Sequence, residues 1–190
     1  LPGQRMITAL EDLYTELQAL VSDASGVSTV ILADQGAPPP DGLYATYKPI
    51  PVRAVGFPRT SRELVDATED FNESLLGAGW QDFEATTISQ LELMVSCNFL
   101  NGAARDAAWR MHNANFRWPV QERLHANSIG WRYAGEVRDL TEIERAGHQP
   151  RYQVDVHLWI EVSVTDDVLR AADFSMVIED AAGNVLYNGG

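Results

Sequence analysis

The sequence predicts an α+β fold, a mostly antiparallel sheet with helices packed on one face. Three observations carry this. Phe83–Phe99 and Tyr152–Val164 alternate apolar with polar residues, which gives each strand one buried and one wetter face. Arg5–Ser22 sets Ile7, Leu10, Leu13, Tyr14, Leu17, Leu20 and Val21 at helical spacing, a single apolar stripe. Along the whole chain the periodicities amount to three helical pieces and about six strands, most of which alternate cleanly, so the helices are expected on one side of the sheet. The 190 residues suit one domain, 1–190, with a proline-rich arm at 34–52 and a long irregular loop at 56–80.

The first helix is expected to stop before the Ser/Asp/Gly cluster of Ser22–Gly26. Val27–Ala33 follows as a short strand. Pro38, Pro39 and Pro40 then impose an extended, stiff path that excludes helix. Leu43–Val55 reads as extended, and Pro49 and Pro51, each without a backbone donor, make it an edge strand or an arm. Gly56–Gly79 has little periodicity and is expected to be loop, with one helical turn near Ser61–Ala67. In Phe83–Phe99, Leu91, Leu93, Val95, Cys97 and Phe99 share one face. Gln90, Glu92, Ser96 and Asn98 share the other, with Met94 among them.

Asn101 is placed to cap the next helix, Gly102–Asn115, whose Ala103, Ala104, Ala107, Ala108 and Met111 form a smooth packing face. Pro119 opens a second short helix, Pro119–Ala126. Ile129–Leu140 reads as a strand with Ile129, Trp131 and Tyr133 on one side. In Tyr152–Val164 the alternate residues from Tyr152 to Val164 are apolar, while Trp159 stands on the polar face, where it is either covered by a neighbouring element or set at an interface. Phe174–Glu179 and Asn184–Tyr187 complete the chain as a hairpin turning at Gly183.

Composition narrows the function classes. The hydrophobic fraction is 45%, with five Trp, six Tyr and six Phe, which supplies a core and argues against disorder. No apolar run approaches the roughly 20 residues that span a bilayer, so no membrane contact is expected. The opening residues lack the basic, apolar and small-residue order of a signal peptide, and Leu1 in place of Met leaves a missing or processed segment as the expectation. Cys97 is the single cysteine, which excludes an intrachain disulfide and a thiolate metal cluster and suits a reducing compartment. The formal net charge is −13 and Lys48 is the only lysine, a balance opposed to backbone binding of nucleic acid. An acidic surface suits a passage through which DNA slides without sticking; it equally serves plain solubility.

No catalytic constellation stands out. Gly77-Ala-Gly79 and Gly189-Gly190 lack the strand–turn–helix context of a phosphate loop, and no Gly-x-Ser-x-Gly elbow is present. None of His112, His125, His148 and His157 has the i, i+4 partner of a helical zinc site, and each reads as a packed or partly exposed histidine. Cys97, on an apolar strand face, reads as a small hydrophobe. Asp155 and Glu161 share a polar face but lie roughly 20 Å apart along the strand, too far for one metal or a glycosidase pair. Glu92 joins either only through cross-strand pairing. No cofactor and no metal site are expected.

Several stretches together resemble the phage neck and tail terminator proteins. They are Val30-Ile-Leu-Ala-Asp-Gln-Gly-Ala-Pro-Pro-Pro40, then Leu43-Tyr-Ala-Thr-Tyr47, the Gln90–Phe99 strand with the Ala-rich Gly102–Asn113 helix, Asn127-Ser-Ile-Gly130 through Glu136-Val-Arg-Asp-Leu-Thr141, and Glu144-Arg-Ala146 leading into Tyr152–Val164. In order and spacing they cover most of residues 7–164. The resemblance implies a structural virion protein whose copies close into a ring, commonly a hexamer. The ring caps the tail tube and meets the head-side connector on one face and the tube or sheath on the other. It lets genomic DNA pass without specific binding, and it is assembled in the host cytoplasm. No catalytic residue is carried over. Ala33, Asp34, Gln35, Pro38 and Pro40 match the family loop, and with Tyr44 and Trp159 they are the candidate contacts between copies. The rival expectations are another neck role, as head-completion or collar protein, and a metal-dependent hydrolase.

Overall fold

The computed structural model describes residues 10–36, 38–66, 81–144, 147–168, 176–179 and 185–189. In chain order the elements are α1 (Leu10–Ser25), β1 (Val30–Leu32), β2 (Tyr44–Asp66), β3 (Gln81–Leu100), α2 (Ala104–His112), a 3-10 turn (Ala114–Phe116), α3 (Trp118–Ala126), β4 (Gly130–Ala134), β5 (Arg138–Asp139), β6 (Glu142–Glu144), β7 (Gly147–Gln149), β8 (Arg151–Val168), β9 (Met176–Glu179) and β10 (Val185–Gly189). The α+β expectation holds. The chain divides into two compact units, Leu1–Arg59 with Ile88–Val164, and Thr60–Thr87 with Thr165–Gly190.

In the first unit the strand order is β1-β2-β3-β8-β4, with β5 also on β8. β1 and β2 are parallel, whereas β4 and β5 run antiparallel to β8. The side-chain ties Arg151–Asn98, Gln153–Ser96 and His157–Glu92 descend on β3 as they ascend on β8, so this pair is antiparallel too. The alternation read from sequence decides the facing. Val154, Val156 and Leu158 of β8 and Cys97 and Phe99 of β3 are fully buried with Leu17 and Val21 of α1, Ala108 and Met111 of α2 and Val120 of α3. All three helices lie against this one core.

Local chemistry fixes the helix ends. Gly26 takes φ +77 just beyond α1, the left-handed conformation of a helix stop, and its N–H donates to the Ser22 carbonyl at 2.8 Å. α1 has no basic residue in its last turn, but Arg117 reaches across to donate to the carbonyls of Asp23 and Ala24 at 3.1 and 2.8 Å. A cation there satisfies orphan carbonyls and complements the helix dipole.

Several expectations are corrected. Gly56–Asp66 is not loop: it continues β2, and residues 67–80 lie outside the described residues. Charge and prolines hid the strand because both of its faces are exposed, so no apolar alternation marks it. β2 is not an edge over Tyr44–Tyr47, where β1 pairs with it; the edge begins where β1 ends. The Ala45 N–H and the Tyr47 carbonyl face β1, so the same side of the strand carries the missing donors of Pro49 and Pro51, turned to the open edge. Asn101 is not a side-chain cap. It takes φ +64, its side-chain amide donates to the Gly42 carbonyl, and α2 begins at Ala104. Ile129–Leu140 is broken into β4 and β5, and the β6–β7 pair has no counterpart in the sequence reading.

In the second unit, β9 and β10 pair antiparallel as expected, while the turn at Gly183 lies outside the described residues. Thr87 hydrogen-bonds with Thr60, and Thr86 with Thr165. Ile7 and the first residues of the expected helix are also outside the described residues.

Candidate functional site

The helices cover one face of the first unit's sheet. The other face is polar, and a single carboxylate organises it. β2, β3, β8 and β4 are successive neighbours, and each contributes one residue: Arg53, Glu92, His157 and Arg132. Arg53 Nε donates to Glu92 Oε2 at 2.9 Å, His157 Nδ1 lies 3.0 Å from Oε1, and Arg132 Nη1 also reaches Oε1. Glu92 is only 2% exposed although it stands on the wet side of its strand. Burial by itself raises its pKa, but the hydrogen bonds of Arg53, His157 and Arg132 outweigh burial and hold it below the ordinary carboxylate value.

A β-bulge builds the rest. Trp131 pairs with Leu158 and Tyr133 with His157, so Arg132 is an extra residue in β4. The bulge breaks the alternation: Trp131 packs on the core, while Tyr133 turns to the polar face and stacks on His157 with ring centres 4.3 Å apart. The expectation that Trp131 and Tyr133 share a side fails for this reason. Arg132 lies 5.3 Å from the Tyr133 ring and 5.1 Å from that of Trp159, in reach of cation–π attraction to both.

The polar face continues as a row of paired groups. Gln153 donates to Ser96 Oγ at 2.9 Å and to Asp155 at 3.1 Å, and Arg151 donates to the side-chain Oδ1 of Asn98 at 3.1 Å. Two shallow hollows open on it. One, about 360 Å³, is lined by Val55, Gln90, Gly130, Trp159 and Glu161. The other, about 400 Å³, is lined by Asp34, Lys48, Ser96, Asn98 and Arg151.

The candidate contact residues fall in different places. Asp34 takes φ +64 and pairs with Lys48 at 2.5 Å on the rim of the second hollow. Ala33 donates its N–H to the Tyr47 carbonyl, tying the start of the arm to β2. Gln35 and Pro38 are exposed, Pro40 is half-buried, and Ala37 between them lies outside the described residues. Tyr44 is 5% exposed, so it belongs to the folded sheet and not to a free arm. Trp159 is half-buried beside Arg132 in the first hollow, covered in part by a neighbouring strand. Arg53, Arg132 and Tyr133 were missed in sequence. The only signal for them was Glu92 on a polar strand face, and its partners come from strands 39 and 40 residues away.

The arrangement is a network of paired charges and hydrogen bonds. Both Glu92 oxygens accept from cationic or histidine donors, which fix the carboxylate in place between three strands. Arginine is never a metal ligand in this setting, having no lone pair to offer. Among the described residues no group of three His, Cys, Asp or Glu side chains is placed to hold a metal. Cys97 is buried on the opposite face, and burial above all pushes its thiol pKa up, which makes it a poor nucleophile. No described helix is long and apolar enough to cross a membrane.

Compared with known proteins, residues 11–181 match a family model described as phage neck terminator protein. No curated protein matches the chain.

Proposed function

The chain belongs to the phage neck terminator family, a structural protein of the virion neck, and from that premise we propose that its copies close into a ring at the head–tail junction. The ring caps the tail tube and joins it to the head-side connector. The single observation that carries this reading is the family match across residues 11–181.

Physical features support it. A closed ring needs two different surfaces on each copy, one for each neighbour, and the first unit offers a polar sheet face and a helical face of different composition. The stiff Pro38–Pro40 segment loses little entropy on docking. Asp34, Gln35, Pro38, Pro40 and Trp159 are the proposed contacts between copies. A net charge of −13 keeps DNA from adhering as it passes. The protein acts by shape and assembly, with no catalytic step and no cofactor, and a hexamer is the expected stoichiometry. The same reading treats 1–190 as one folding domain, because β2, β3 and β8 each contribute residues to both compact units.

Cryo-microscopy of intact virions tests the proposal. The expected result is one ring of this chain between connector and tube. Copies spread along the tail, or one copy per particle, would overturn it.

A further inference from the structure

We propose that Asn101 is a positioning residue for assembly: it clamps the far end of the proline segment, so that Pro38–Asp41 meet a neighbouring copy in one conformation. This rests on the ring reading above and adds the residue that sets its arm.

Both ends of the segment are tied to the sheet. At the near end Asp34 turns the chain at φ +64 and pairs with Lys48 of β2. At the far end the Asn101 side-chain amide donates to the Gly42 carbonyl at 3.1 Å. Gly102 follows at φ +46, and a Cβ there would meet that of Leu43 at 3.3 Å, so the corner lies hard against the chain that leaves the segment. The corner is itself fixed. The Asn101 N–H donates to the Pro150 carbonyl at 3.0 Å, and the Asn101 carbonyl accepts from the Ala104 N–H at 3.0 Å where α2 begins.

The residue at the corner points to a use for its side chain. At φ +64 glycine is the unstrained choice, and asparagine is one of the few others tolerated. Glycine would make the same turn and leave Gly42 untied. Asparagine makes the turn and keeps a donor for the segment.

The clamp holds residues that the subunit's own core does not use. Pro38, Pro39, Asp41 and Gly42 are exposed and Pro40 is half-buried, and none of them belongs to the hydrophobic core. Three consecutive prolines remove backbone freedom, and ties at both ends remove more. Such prior ordering lowers the entropy lost when the segment docks on another surface. The neighbouring copy is the surface that the ring reading supplies.

Two substitutions test the clamp. Asn101→Gly keeps the turn and removes the donor, while Asn101→Asp keeps the shape and sets a carboxylate against the Gly42 carbonyl. Both are expected to retain the wild-type circular dichroism, to speed hydrogen exchange at the Asp41 and Gly42 amides, and to weaken self-association in sedimentation equilibrium at least about fivefold. In a chain already loosened by Pro38→Gly/Pro40→Gly, Asn101→Gly is expected to add nothing, because a positioning residue acts through the segment it holds. A further loss there would make Asn101 a direct contact and overturn the proposal. Unchanged exchange or unchanged association in the single variants would overturn it as well. A wild type that stays monomeric at every concentration removes the neighbouring copy as the occupant, and the subunit count at the virion neck then judges the ring reading separately.

Discussion

The two faces of β8 do different physical work with alternate residues of one strand. Val154, Val156 and Leu158 are fully buried beneath three helices. Gln153, Asp155, His157 and Trp159, on the other face, are half-buried and shielded sideways by residues of neighbouring strands. Burial on the first face is produced by layering and on the second by pairing. Glu92 makes the contrast sharp, since it is as buried as a core leucine yet lies on the open side, closed in by Arg53, Arg132 and His157. A layered face is held by apolar area and tolerates no charge. A paired face is held by matched donors and acceptors and tolerates no missing partner.

Breaking the layered face should have the largest effect. Val156→Asp sets an unpaired carboxylate into the core and is expected to cost on the order of 4 kcal/mol, enough to unfold a marginal domain. Urea unfolding measures it; a midpoint equal to that of the wild type would mean that β8 faces the other way.

Breaking the paired face comes next. Glu92→Gln keeps the volume but removes the charge that holds two guanidinium groups, and a clear fall in Tm, smaller than for Val156→Asp, is expected. The pH dependence has a definite sign. The folded pKa of Glu92 lies below its unfolded value, so the carboxylate contributes fully above the unfolded value and its contribution disappears as pH falls through the folded one. The Tm difference between wild type and Glu92→Gln should therefore be constant near neutrality and shrink in acid. A difference that grows in acid would contradict the pairing.

A smaller effect tests how the helical layer is anchored. At Gly26 a Cβ would meet the Arg110 guanidinium at 2.9 Å, and the φ of +77 is strained for any other residue. Gly26→Ala is expected to cost about 1–2 kcal/mol, read from chemical denaturation. The smallest effect belongs to the rim of the open face. Lys48→Ala removes the exposed pair with Asp34 and should change stability by no more than about 1 kcal/mol. A larger loss would make the proline arm an integral part of the sheet.

Sequence alone determined the elements whose own periodicity records their surroundings. β3 and β8 announce their faces because a strand packed on one side must alternate, and α1 shows its stripe for the corresponding helical reason. The helix after Pro119 was legible for the same local reason, since a proline is tolerated in a first turn. The extension of β2 through Gly56–Asp66 was not legible, because a strand exposed on both faces leaves no pattern. The polar cluster was out of reach for a different reason. Its four members come from four strands, and only the order β2-β3-β8-β4, with a bulge that turns Tyr133 over, brings them to one carboxylate. Local hydrophobic pattern is written residue by residue along the chain, whereas register and strand order are decided by the whole sheet as it closes over its core.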